Sequence, residues 1–189
     1  MAKEFSMAFD SVNGDRQVYS AEWAMPYKMM WSNGISPEPN SLKVTAAGNM
    51  QVAVGYGGAN LEGRFYWLLD DGTGILKLSI PPADPTYDRI DRIVLRLDLS
   101  AAERRIWVKV LQGTALAEPM PPALTRDANA WELSLAQIRV RGGIGATTDE
   151  DITDEREMDD ICGRIQLVGA NYLSLTDWRA FTNDRPDHL

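Results

Sequence analysis

The sequence contains one cysteine, Cys162, and one histidine, His188. A lone cysteine forms no disulfide within its chain, and Cys162 is expected to be a small buried apolar residue. A zinc site built from several cysteines and histidines is excluded within one chain. A nucleophilic triad would have to recruit His188, next to the carboxy terminus, where chain ends fray. Basic residues are also scarce: 19 Lys and Arg stand against 27 Asp and Glu, a formal net charge of −8. Phosphate binding needs a surplus of cations, so no nucleic-acid partner is expected. No window approaches the roughly 18 apolar residues of a membrane helix, so no membrane insertion is expected. The opening Met1-Ala2-Lys3-Glu4-Phe5-Ser6 has no long apolar stretch behind it, unlike a secretory signal. The chain reads as one made and folded in a cytoplasm.

What the 189 residues do contain is enough for one sizeable domain, or one domain with a shorter appendage. A chain of this length buries roughly 70% of its unfolded surface, so it needs neither disulfide nor metal to fold. Asn13-Gly14 marks a tight turn. Ser20 suits the cap of a short helix from Ala21 to about Trp31, with Glu22 favourable in its first turn. Pro26 lies beyond that first turn, which predicts a kinked or late-starting helix. Asn33-Gly34 ends it.

From Leu42 the pattern changes to period two. Met50, Val52 and Val54 alternate with small or polar residues, glycines interrupt, and Leu61 to Leu69 follow. Asp70-Asp71-Gly72 is a turn before the alternating Leu76, Leu78 and Ile80, and Pro81 to Pro85 form a stiff connector. The clearest hairpin comes next. Ile93, Leu95, Leu97 and Leu99 share one face, and after a turn at Ser100 to Glu103 the set Ile106, Val108 and Val110 repeats the rule. Charges at alternate positions suit a sheet with one wet face. Between Trp131 and Arg141 the apolar parity switches from Leu135 to Ile138, as a β-bulge requires. The expected fold is mainly β: an antiparallel β sandwich or barrel with a short N-terminal helix and a less regular C-terminal arm. The expected divisions are an extension and helix over residues 1–40, a β domain over 41–163 and an arm over 164–189.

Several phrases then occur in a characteristic order. They are Asn13-Gly14-Asp15-Arg16, Tyr19-Ser20-Ala21-Glu22, Asn33-Gly34-Ile35, the glycine-rich stretch Met50 to Gly63, and Asp88 to Asp98. Pro121-Pro122-Ala123-Leu124-Thr125-Arg126, Leu133 to Ile138 and Ile152-Thr153-Asp154-Glu155-Arg156 complete the series. Over roughly residues 10–163 it resembles the amino-terminal domain shared by phage tail and baseplate proteins, notably the upper baseplate proteins of siphophages. The resemblance implies a structural part of a bacteriophage tail tip or baseplate, residing in the virion and made in the host bacterial cytoplasm. It implies homo-oligomers, trimers by analogy, that contact other tail or baseplate proteins and a receptor-binding protein. It brings no catalytic residue and no cofactor. Family members often continue into a long coiled coil or a carbohydrate-binding module, which residues 164–189 are too few to hold. A connector role is therefore expected in preference to direct receptor contact.

Several sets of residues are candidates for function. Trp23, Tyr27 and Trp31 recur at i, i+4 and i+8 and form a helical stripe with Met30, either core or an intersubunit contact. Met25 and Met29 beside them can adapt to an irregular partner. Trp178 and Phe181 can anchor an arm on a neighbour or fold back on the chain's own sheet. Arg89, Asp91, Arg92, Arg96 and Asp98 mix both signs on the outer side of a strand, and the set is expected to form cross-strand ion pairs with Arg105 or Glu103, or else an intersubunit charge network that Arg96 would join. The rival function is a carbohydrate-binding module that stacks Tyr66, Trp67 or Trp107 on sugars. The acidic run from Asp149 to Asp160 offers oxygen ligands for calcium but lacks an EF-hand's spacing, so solvated acids and helix caps are the plainer expectation. Gly55-Tyr56-Gly57-Gly58 lacks a Walker lysine and reads as a strand turn. No pair of carboxylates is set at glycosidase spacing, so no enzyme is expected.

Overall fold

The computed structural model describes Asn13, residues 19–70, Gly72 and residues 74–168. Helix α1 spans Ser20–Met30. The Glu22 carboxylate accepts the Tyr19 N–H at 2.7 Å, and the Tyr19 carbonyl accepts the Glu22 and Trp23 N–H groups at 3.0 and 3.1 Å. Tyr19 is thus the capping residue. The expected cap, Ser20, is the first helical residue, because Glu22 reaches back to satisfy the backbone ahead of it. The helix neither starts late nor stops at Pro26, although proline gives up a hydrogen bond there. It ends when Trp31 turns extended, at φ −129° and ψ 135°.

Ten strands follow. They are β1 (Gly34–Ile35), β2 (Val44–Ala46), β3 (Gln51–Val54), β4 (Gly57–Leu61) and β5 (Arg64–Leu68). Beyond these come β6 (Leu76–Ser79), β7 (Arg89–Asp98), β8 (Arg105–Leu111), β9 (Ala130–Val140) and β10 (Ile152–Asp154). They make three antiparallel sheets, ordered β1-β4-β5, β2-β3-β6 and β10-β9-β7-β8. One core serves all three: Ile35 and Leu61 from the first, Val52 and Val54 from the second, Ile93, Leu95, Leu135 and Ile138 from the third. The fold is mainly β and sandwich-like, and among the described residues no sheet closes into a barrel.

The long hairpin pairs Ile93 with Val110, Leu95 with Val108 and Leu97 with Ile106. On the other side of β7, Ile93 faces Ala136 and Val94 faces Ser134, which leaves Leu135 as the extra residue of a bulge. Leu135 and Ala136 are therefore both buried, and the apolar parity of β9 changes where the sequence says it does.

The opposite face of this sheet is not the wet face that alternation predicted. The segment between β8 and β9 and residues 155–162 lie over it. Arg92 Nη1 donates to the Pro122 carbonyl at 2.7 Å, the Thr125 N–H to Glu132 at 2.7 Å, and the Ser134 N–H to the Ile161 carbonyl at 2.9 Å. Glu132, Ser134 and Glu155 are consequently buried. Irregular backbone needs hydrogen-bond partners, and a charged strand face supplies them.

Residues 163–167 run beside the start of the first sheet. The Ile35 N–H donates to the Gly163 carbonyl at 3.0 Å, the Ile165 N–H to the Ile35 carbonyl at 2.8 Å, and the Ser32 N–H to the Gln166 carbonyl at 2.9 Å. The beginning of the expected arm thus lies on the chain's own body. Trp178 and Phe181 fall outside the described residues.

Candidate functional site

The β4–β5 turn seats α1. Asn33 brackets Glu62, its Oδ1 accepting the Glu62 N–H and its Nδ2 donating to Glu62 Oε1, each at 2.7 Å. Lys28 of α1 pairs with the Glu62 carboxylate. The next residue, Gly63, has φ +72°, and a Cβ there would stand 2.0 Å from the Ala24 carbonyl oxygen. Only glycine lets the helix come this close while holding a left-handed backbone.

This seating places α1 against the outer face of β5. Tyr66 and Leu68 turn toward the core, whereas Phe65 and Trp67 turn outward. The Tyr27 ring meets Phe65 edge-on, with centroids 5.0 Å apart and planes at 80°. Phe65 in turn stacks on Trp67 at 5.6 Å and 23°. Trp67 lies opposite Gly58, where an added Cβ would stand 3.4 Å from its ring. A glycine partner therefore leaves the indole room to lie across the sheet. Trp23 remains 50% exposed and Trp67 64%. Isolated exposed apolar residues are ordinary, but an aligned aromatic series is the kind of surface that partners bind.

Beside this series opens a groove of about 810 Å³, walled by Trp23 and Tyr27, by Phe65, by Leu97 and Leu99 at the end of β7, and by Arg104 and Ile106. Its cations differ in what they touch. Arg105 pairs with Glu103 at 2.7 Å and lies 4.5 Å from the Trp107 ring centre. Arg104 sits in the hairpin turn at φ +46°, and no side chain among the described residues partners it.

The structure separates the residues that the sequence had grouped. Trp23 and Tyr27 wall the groove, and Met30 is exposed on the last turn of the helix outside it. Trp31 leaves the stripe, because the helix ends one residue earlier and its backbone bridges to Leu167. Arg96 donates to Glu132 at 2.7 Å and to Asp98 at 3.0 Å, while Arg105 and Glu103 pair with each other. Of the proposed sugar-stacking residues, Tyr66 packs on the core, and burial pushes its phenol up from the ordinary value. Trp107 is covered on one face by Arg105, and Trp67, stacked on Phe65, is the most exposed of the three. Phe65 and Arg104 belong to the groove without having stood out in the sequence, and Leu99 stood out only as part of the apolar hairpin face. The outward period-two positions of β5 were a signal for Phe65; none pointed to Arg104.

The acidic run is dispersed over separate partners. Asp149 accepts the Ala46 N–H at 2.7 Å, Asp151 accepts from Thr148 and pairs with Arg141, and Asp154 pairs with Arg156. Among the described residues no group of three or more His, Cys, Asp or Glu is placed to hold a metal ion. Gly55 and Gly57 lie at a strand turn, with the Gly55 N–H donating to the Lys43 carbonyl at 2.8 Å. Among the described residues no helix is long and apolar enough to cross a membrane.

Fold and surface together define a three-sheet, sandwich-like β protein bearing an aromatic groove. No family model, curated protein or solved structure matches the chain.

Proposed function

We propose that this chain is a structural component of a bacteriophage tail tip or baseplate, an oligomeric adaptor that joins peripheral or receptor-binding parts to the tail and has no catalytic role. Two supports carry this reading. One is the ordered series of phrases over residues 10–163. The other, and the single structural observation behind it, is the exposed line Tyr27–Phe65–Trp67 beside Trp23, shared between helix α1 and strand β5. Aromatic anchors ringed by polar residues are where protein interfaces concentrate their energy. In this proposal the sheets hold the anchors still, so that little side-chain freedom is lost on docking. The site of action is the virion.

The test is the sedimentation mass of the full chain, together with its co-purification with tail proteins encoded by neighbouring genes. Oligomers, or a stable complex weakened by Trp23→Ala, are the expected results. A chain that stays monomeric at high concentration and captures no tail protein would overturn the proposal.

A second proposal, sugar binding, draws on one observation: the open Trp67 ring backed by Phe65. A glycan array lacking any signal that Trp67→Ala abolishes would remove it.

A further inference from the structure

The groove is matched by a projecting segment of the same chain. Residues 114–121 join β8 to β9 and carry Leu116, 50% exposed, and Met120, 77% exposed. Between them stands Glu118, which has no hydrogen-bond or ion-pair partner among the described residues. The segment bends at Ala117 and Glu118, and Pro119, Pro121 and Pro122 restrict its backbone beyond the bend. It is tied down at both ends, with the Leu116 N–H on the Asp88 carbonyl at 3.0 Å and Arg92 Nη1 on the Pro122 carbonyl at 2.7 Å. Two apolar side chains flanking an unpaired carboxylate are thus held ready. Elsewhere on the molecule, an apolar groove flanked by Arg104, which no described side chain partners, is their chemical counterpart.

One chain cannot join the two. The segment is anchored beside the Arg89 end of β7, whereas Leu97 and Leu99 of the groove lie at its other end. Arg92, the nearer anchor, precedes Leu97 by five residues, about 17 Å along the strand, and lies on the opposite face of β7 from core-facing Leu97. Projection and groove therefore meet only between copies.

We infer that residues 114–121 of one copy seat in the aromatic groove of the next, with Leu116 and Met120 against Trp23, Tyr27 and Phe65 and with Glu118 on Arg104. The inference rests on the oligomeric adaptor reading and names its interface. Exchanged reciprocally between two copies the contact closes a two-fold dimer, and repeated head-to-tail it closes into a ring when the rotation permits. The prolines lower the ordering cost of docking, and the charge pair sets the register.

The experiment is sedimentation velocity on the full-length chain and four variants: Met120→Asp, Arg104→Glu, Glu118→Arg and the Arg104→Glu/Glu118→Arg double. Met120 is so exposed that Met120→Asp should keep the wild-type circular dichroism and melting temperature while shifting the oligomer to monomer. Each single charge reversal should weaken association about tenfold, and the double reversal should recover most of the loss. Wild-type oligomers unaffected by Met120→Asp, or charge reversals that do not compensate, would overturn this interface and leave the adaptor reading standing on another surface. A wild-type chain monomeric at high concentration would overturn it too. The adaptor reading would then depend on capture of a neighbouring tail protein alone.

Discussion

Arg96 Nη1 donates to Glu132 Oε1 at 2.7 Å across the β7–β9 pair, and Glu132 exposes none of its surface. The other carboxylate oxygen of Glu132 accepts the Thr125 N–H at 2.7 Å. A buried carboxylate is tolerated only while its partners are present. Arg96→Ala should therefore cost about 3 kcal/mol of folding stability, read from urea unfolding. The same variant should leave the oligomeric mass unchanged under conditions where it stays folded. A loss of assembly without a loss of stability would return Arg96 to the interface.

Acid should destabilise the fold through aspartates held in their charged form. The Gly142 N–H at 2.9 Å and the Arg139 guanidinium at 2.7 Å keep Asp88 below the ordinary aspartate value. The Ser100 hydroxyl and N–H, with Arg96 behind them, do the same for Asp98. A carboxyl depressed in the native state binds fewer protons folded than unfolded, so stability rises with pH through this range. The contribution is fully present above about pH 5 and is lost as pH falls below about 4 toward the depressed values. Urea midpoints measured from pH 7 to pH 3 should show that fall, and Asp88→Asn should make it shallower. An unchanged slope in Asp88→Asn would refute the assignment.

Gly63 is the seat of the helix, so Gly63→Ala should act at a distance from its own small side chain. The added Cβ meets the Ala24 carbonyl and also strains the positive φ. Destabilisation of more than about 1 kcal/mol is expected, with a change in the Trp23 fluorescence environment as α1 shifts. If association were then unaltered, the position of the helix would be irrelevant to docking.

Cys162 is buried, and burial pushes its thiol up to about 12. The reactive species is the thiolate. In the native protein at pH 8, alkylation by iodoacetamide should be very slow, and unfolding in urea should release it. Fast labelling of the folded chain would contradict the packing described around Cys162.

Much of the β architecture was legible in the residues. The long hairpin, the polar turns and the parity switch at Leu135 all follow from which side chains can share one face of a pleated strand. The helix was legible too, except for its ends. Ser20 looks like the better cap, but the Glu22 carboxylate decided the matter from three residues along, and Trp31 was drawn off the helix by pairing with Leu167. Periodicity says which residues point together and nothing about what lies over them. That is why the charged face of β7 and β9 read as solvated, although connectors cover it.

By itself, the sequence determined the strands, their faces, the absence of disulfide or clustered-histidine chemistry and the excess of negative charge. These follow from composition and from neighbours in the chain. Tertiary structure alone decided that Tyr27 would meet Phe65, that Phe65 would stack on Trp67, that Arg96 would turn inward to Glu132, and that Arg104 would have no side-chain partner among the described residues. Such outcomes depend on contacts between distant segments, as when Arg156 Nη1 donates to the Ser41 carbonyl at 2.7 Å. Each closes only when the whole core has packed, because the free energy that holds a side chain in place is shared among elements that local patterns do not connect.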